Sequence, residues 1–241
     1  MHGLLAIESS QRSISVAIRC RDGAIKERSP VGDPRQSDLL LPAIVALCDD
    51  AKISSAELCA VAVSTGPGGF TGLRVGIATA KGICEALSIP AIDVPSASVA
   101  AMGQRSQWWP RAQKVIVTLS AKGDECWMTT VEAGMDGVLS VREQEWYRWS
   151  EHDAFDPGSA LVLVADDHLP PELKKRAIDA GMSIVTPVFA AKDCLVIAES
   201  MFMRGEVTDS VGLRVRYPRE PEAITLWRAR YPDGFTPKKP S

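Results

Sequence analysis

Short apolar runs alternate with longer mixed segments along most of the chain, and the two periodicities predict different elements. Leu4 to Ser9, Ser13 to Cys20 and Ala24 to Ser29 read as three strands. The turns Ser10-Gln11-Arg12 and Arg21-Asp22-Gly23 separate them, which predicts an antiparallel meander. A helix from about Ser37 to Ala51 follows, then a strand (Ala60 to Ser64), a helix (Thr71 to Leu87), a short strand (Ala91 to Val94) and a helix from about Ser96. Strand-helix alternation after a meander predicts a mixed sheet covered by helices.

A second passage repeats this order. Val115 to Ser120 and Glu125 to Glu132 read as strands around the turn Ala121-Lys122-Gly123-Asp124, and Val141 to Trp149 is a third candidate. A strand (Ala160 to Ala165), a helix begun by Pro170-Pro171, a strand (Ser183 to Val185) and a helix from about Ala190 to Arg204 complete it. The two passages share element order rather than residue identity, which suggests structural duplication. The polar, Trp-rich segment Gln104 to Arg111 is the expected boundary. It divides the chain into an N-terminal half (1–104), a smaller C-terminal half (112–189) and a helix with a basic, Pro/Arg-rich tail (190–241) that packs back over the body.

Two helices stand out. The helix from Ser37 is apolar nearly all round, with Leu39, Leu40, Leu41, Ile44, Val45, Leu47 and Cys48. A helix covering one sheet face needs a single apolar stripe, so either a further layer of the chain or a partner covers the rest. The helix from Thr71 carries Gly72, Gly76, Ala80 and Cys84 on one face, a smooth surface that another backbone can approach closely. Together they suggest half of an intermolecular four-helix bundle. The expected interface is Leu40, Leu41, Ile44, Gly72, Arg74, Gly76, Ala80, Lys81 and Cys84.

Before that helix, Gly66-Pro67-Gly68-Gly69 admits two readings. Its N–H groups and the helix start suit a phosphate, which would make Gly66, Gly68 and Gly69, with Glu8 in the first turn, a nucleotide site. Alternatively it is a tight strand-to-helix turn needing positive φ. The spacing matches neither the Walker loop nor the dinucleotide fingerprint.

Composition narrows the field. Net charge is -3, which argues against a protein that holds nucleic acid alone, although seven basic residues face three acidic ones from Arg214 onward. Six scattered cysteines fit free thiols in a reducing compartment. No apolar stretch approaches the roughly 20 residues of a membrane span, and the expected location is cytoplasmic. Catalytic equipment is sparse: His2, His152 and His168 lack metal-ligand spacing, no Gly-x-Ser-x-Gly elbow exists, and the acidic candidates are Glu8 and Asp166-Asp167.

The segments Ala6-Ile7-Glu8-Ser9-Ser10, Leu39 to Ile44 and above all Gly66 to Gly82 resemble the bacterial TsaB (YeaZ) family. The second half follows that pattern in element order, with a further likeness from Val215 to Ala223. The resemblance implies an α/β, actin-like ATPase (ASKHA, ribonuclease H-like) fold: two β-β-β-α-β-α-type halves with mixed sheets, and a cleft faced by the turns Ser9 to Ser13 and Ala121 to Asp124. It implies a non-catalytic subunit that is a homodimer alone and pairs with a catalytic paralogue, TsaD. With a small ATPase, TsaE, the assembly installs threonylcarbamoyl on the adenosine next to the anticodon of tRNA, with ATP or ADP and magnesium at the partner interface. The paralogue's two metal-binding histidines correspond to positions near Ser96 and Ala100. The sequence departs from the family at Glu8, Gln36 and Ser120, where Asp, His and Asp are usual. A competing expectation is an ATP-dependent kinase or transferase of the same superfamily, with Glu8 and Asp166 positioning a metal; a glycoprotease is disfavoured by the missing histidines.

Overall fold

The computed structural model describes residues 3–30, 39–120, 125–134, 138–148, 157–216, 226–228 and 230–231. Gln36 to Asp38, the Ala121 to Asp124 turn, His2, His152 and the Tyr217 to Ala223 stretch lie outside them.

The meander forms as the alternation predicts: β1 (Leu4–Glu8), β2 (Ser15–Arg19) and β3 (Ile25–Arg28) pair antiparallel in sequence. Strands β4 (Ala60–Ser64) and β5 (Ala91–Val94) join parallel to β1, giving the order β3-β2-β1-β4-β5. Every residue of β1 and β4 is buried, so both read as continuous apolar runs because both of their faces are covered.

Alternation sorts the side chains between two cores. Leu5, Ile7, Val16, Val61 and Val63 meet α1 (Leu40–Ala51) and α2 (Phe70–Leu87) on one side. Leu4, Ala6, Ala17 and Ala62 meet α3 (Ser96–Gly103) and α6 (Ala191–Met203) on the other. That second core continues into the other sheet, β10-β9-β6-β7-β8, made of β6 (Lys114–Ser120), β7 (Glu125–Ala133), β8 (Leu139–Arg148), β9 (Val162–Ala165) and β10 (Ser183–Val185). Helix α5 (Pro171–Asp179) covers its far face through Leu173 and Ala177. The layers therefore run α1/α2, sheet, α3/α6, sheet, α5.

Helix α6 returns from the C-terminal half to close the first sheet. Its first N–H groups donate to Ser15 Oγ (2.9 Å) and Glu27 Oε1 (3.1 Å), and Arg19 Nε donates to Glu199 Oε1 at 2.6 Å. Beyond it, Thr208 exchanges backbone hydrogen bonds with Ala91 on edge strand β5, and Arg216 N–H donates to Thr65 O at 2.7 Å.

The polar segment expected as a boundary contains a core residue. It forms the short helix α4 (Arg105–Trp108), where Trp108 is 1 % exposed and donates Nε1–H to Ala101 O. Its indole packs into the central core between the sheets.

Candidate functional site

The glycine loop is filled by its own chain. Gly66 sits at φ +118, and a Cβ there would stand 2.5 Å from Arg216 O. A Cβ on Gly68 would stand 2.2 Å from Ser10 O, the same carbonyl that accepts the Gly69 N–H at 2.7 Å. Gly66 donates its own N–H to Ser96 Oγ at 3.0 Å. The glycines let the β1–β2 turn, the α3 start and the returning C-terminal segment close on one point. A phosphate cradle needs those N–H groups unspent. Of the two readings of Gly66, Gly68 and Gly69, the tight turn is the one built here, and the loop does not fit a nucleotide.

Glu8 ends β1 facing α6, with no solvent exposure. Its Oε1 accepts from Ser10 N (2.7 Å) and Ser10 Oγ (2.6 Å), while Oε2 has no hydrogen-bond partner. Burial pushes its pKa up, against the lowering effect of Ser10. On α6, burial pushes Asp193 up to about 6. A sealed carboxyl is poorly placed to hold a magnesium–nucleotide. Asp166, the other expected metal-positioning acid, caps the turn after β9 by accepting the His168 N–H at 2.9 Å. Among the described residues, no group of three or more His, Cys, Asp and Glu is arranged to hold a metal ion. The positions matched to the paralogue's histidines are both buried, and Ser96 is spent on Gly66.

The smooth face of α2 is also internal, which corrects the expected interface. A Cβ on Gly72 would lie 2.2 Å from Ser9 O, and one on Gly76 would lie 2.1 Å from Ser9 Oγ and 3.5 Å from Ile7 Cγ2. Ala80 and Cys84 continue that face into the α1/α2 core. Leu40 is fully buried and Ile44 is 4 % exposed. Leu40, Gly72, Gly76, Ala80 and Cys84 therefore meet this chain's own sheet and helices. The physical reason is in the helix itself: Leu73 and Ile77 share that face and are large enough to require burial.

The exposed surface lies on the opposite side. Leu41 and Val45 are each 55 % exposed on α1, one turn apart. On α2, Ala78, Gly82 and Ala86 are exposed at four-residue spacing, and a Cβ on Gly82 would touch nothing within 4 Å. Between the helices runs a groove of about 570 Å³ lined by Leu41, Val45, Cys48, Thr79, Gly82 and Ile83, with Ile44 at its floor. Of the expected interface residues, Leu41 and Arg74 are exposed and Lys81 is half-buried. Sequence reasoning misses Val45, Ala78, Gly82 and Ala86 as surface residues. Their signal is a second small-residue register offset from the first, flanked by Ile83 and Leu87, which are only partly buried.

Two layered sheets with helices between and outside them define an actin-like (ASKHA, ribonuclease H-like) two-domain α/β protein. YeaZ from Pseudomonas aeruginosa has the same fold: TM-score 0.72 at 21 % identity, over 89 % of this chain and 98 % of that one. The family model described as TsaD, tRNA N6-adenosine threonylcarbamoyltransferase, matches residues 34–141. The Escherichia coli tRNA threonylcarbamoyladenosine biosynthesis protein TsaB is 25 % identical over 84 % of this chain and 88 % of its own length. An uncharacterized protein of Mycobacterium leprae is 34 % identical over 81 % of this chain, which spans 50 % of that relative's length. Over most of its length the chain is therefore similar to proteins of the TsaB (YeaZ) family.

Proposed function

We propose that this chain is a scaffold subunit in tRNA threonylcarbamoyladenosine formation. It presents the outer face of α1 and α2 to a TsaD-like catalytic paralogue, which does the bond-making, while a TsaE-like ATPase joins the assembly and tRNA is reached through it. Alone, the chain pairs with a second copy through the same face. The observation that carries this reading is the exposed apolar groove between α1 and α2, bordered by the small residues of α2. Small residues let a facing helix approach closely, and Leu41 and Val45 supply the apolar area. The names of the TsaB relatives supply the reaction. A non-catalytic role is supported by the sealed Glu8 carboxyl and by Ser96 and Ala100 standing where the paralogue carries histidines. The same sealing of Glu8 disfavours the kinase reading.

Gly82→Leu tests the proposal, because the added side chain enters open space in this subunit and only a docked neighbour would meet it. Calorimetric titration with the purified TsaD-like paralogue should show association weakened at least tenfold, with a melting temperature no lower than the parent's. Full-strength pairing by a folded Gly82→Leu protein would remove this face from the interface.

A further inference from the structure

We infer that the amino end of α2 carries a contact site for single-stranded or looped RNA, separate from the partner groove. The inference rests on the proposed role in tRNA modification and assigns this subunit a direct part in holding that substrate.

Three segments whose backbones meet there bring four exposed arginines. Arg12 lies on the β1–β2 turn, whose Ser10 carbonyl accepts the Gly69 N–H. Arg74 stands one turn inside α2, its guanidinium 3.6 Å from the ring centroid of Phe70. Arg214 and Arg216 face outward on the returning segment, where Leu213 and Val215 pack inward and Arg216 N–H donates to Thr65 O. Phe70 is 55 % exposed. Asp93 pairs with Arg216 at 2.8 Å.

This concentration of positive charge runs against the chain's net charge of -3. Folding gains little from it, since exposed charges contribute weakly to stability and an exposed phenyl ring leaves apolar area in water. Guanidinium groups beside an exposed aromatic match a nucleic-acid strand in both of its parts. The forks of Arg bind phosphate, and the ring offers a surface for a base to stack on. An acidic protein would satisfy the charges alone and make no use of the part of the Phe70 ring that stays exposed beside Arg74. The site also sits apart from the groove, which uses Thr79 to Leu87 in the other half of the 18-residue helix. One helix can therefore hold the catalytic partner at one end and RNA at the other.

The test uses the full chain and a fluorescently labelled anticodon stem-loop RNA, with binding followed by anisotropy across a salt series. The unaltered protein should bind, with affinity falling as salt rises. The triple variant Arg12→Ala, Arg74→Ala, Arg214→Ala should bind at least tenfold more weakly at low salt, and its slope of log K against log salt should be shallower by roughly 0.7 per lost phosphate contact. Phe70→Ala should lose about tenfold in affinity with its slope unchanged, the mark of lost stacking rather than lost charge. Melting temperatures should match throughout, because the altered side chains are exposed. Three results would overturn the inference: no RNA binding by the unaltered chain, an unchanged slope and affinity in the triple variant, or a triple variant that keeps RNA but loses the TsaD-like paralogue, which would make the patch a protein contact. Gly82→Leu separates this from the scaffold proposal: it should keep RNA binding while losing the paralogue.

Discussion

Helix α2 carries small residues on two faces, and the faces have opposite fates. Gly72, Gly76, Ala80 and Cys84 lie against β1 and the core, so near that Ser9 would collide with a methyl group on Gly76. Ala78, Gly82 and Ala86 repeat the same spacing and face open space. Small residues four apart report that some backbone comes close, without saying whose. Their large neighbours decide. Leu73 and Ile77 turn the first stripe inward, because leaving such side chains in water costs on the order of 2 kcal/mol each. Beside the second stripe, Ile83 and Leu87 are only partly buried against that core and line the groove, and Ala78, Gly82 and Ala86 stay exposed.

The sharpest way to break this comparison is to fill the inner stripe. Gly76→Leu forces a side chain into Ser9 and Ile7, and should cost about 3 kcal/mol or more, read as a lower denaturant midpoint. A variant as stable as the parent would mean that the inner face is not closed as described. Adjacent residues on α1 give a second contrast. Leu40→Ala should lose roughly 2–5 kcal/mol of folding stability, because Leu40 is fully buried. Leu41→Ala should leave melting almost unchanged and weaken pairing with the TsaD-like paralogue by roughly 1–2 kcal/mol. Reversal of that pattern would turn the helix over.

A smaller effect probes the opposite surface of the same sheet, where Glu8 meets α6. Burial raises Asp193 from its ordinary 3.8 to about 6, and raises Glu8 as well. The folded chain thus binds more protons than the unfolded chain in that window, so stability rises as pH falls from about 6 toward 3.8. Asp193→Asn should stabilise the protein at pH 7.5 by about 1 kcal/mol after allowance for solvent screening, and the gain should vanish near pH 4. A gain independent of pH in thermal melts would assign the effect to packing instead. The smallest effect returns to α2. Gly82→Ala adds a methyl group in open space within a helix, and should stabilise the fold by about 0.5–1 kcal/mol. Loss of stability on melting would place a neighbour where none is seen.

Much of the architecture was legible because its signals are local. The meander follows from Ser10-Gln11-Arg12 and Arg21-Asp22-Gly23 between apolar runs, and the strand-helix order of both halves follows from period alone. Trp108 shows where such reading stops. Its neighbours are polar, so the segment reads as a boundary, yet the indole is needed to fill space between two sheets that sequence cannot bring together. The site divides the same way. The excess apolar surface of α1 was visible, and Leu41 remains exposed as that excess required. The direction of the α2 stripes and the closure of the glycine loop were not visible. Both depend on Ser9, Ser10 and Arg216, which are distant in sequence from the residues they cover.

The sequence by itself determined where strands and helices form, that one helix has more apolar surface than a single sheet can cover, and which family the chain resembles. These follow from spacing, since the period of side chains along an element is fixed by its backbone geometry. Only the tertiary structure decided that the glycine loop is shut by the chain's own backbone, that Glu8 is sealed, and that Gly82 rather than Gly76 faces outward. Close approach is a property of two surfaces at once, and a linear pattern describes one of them.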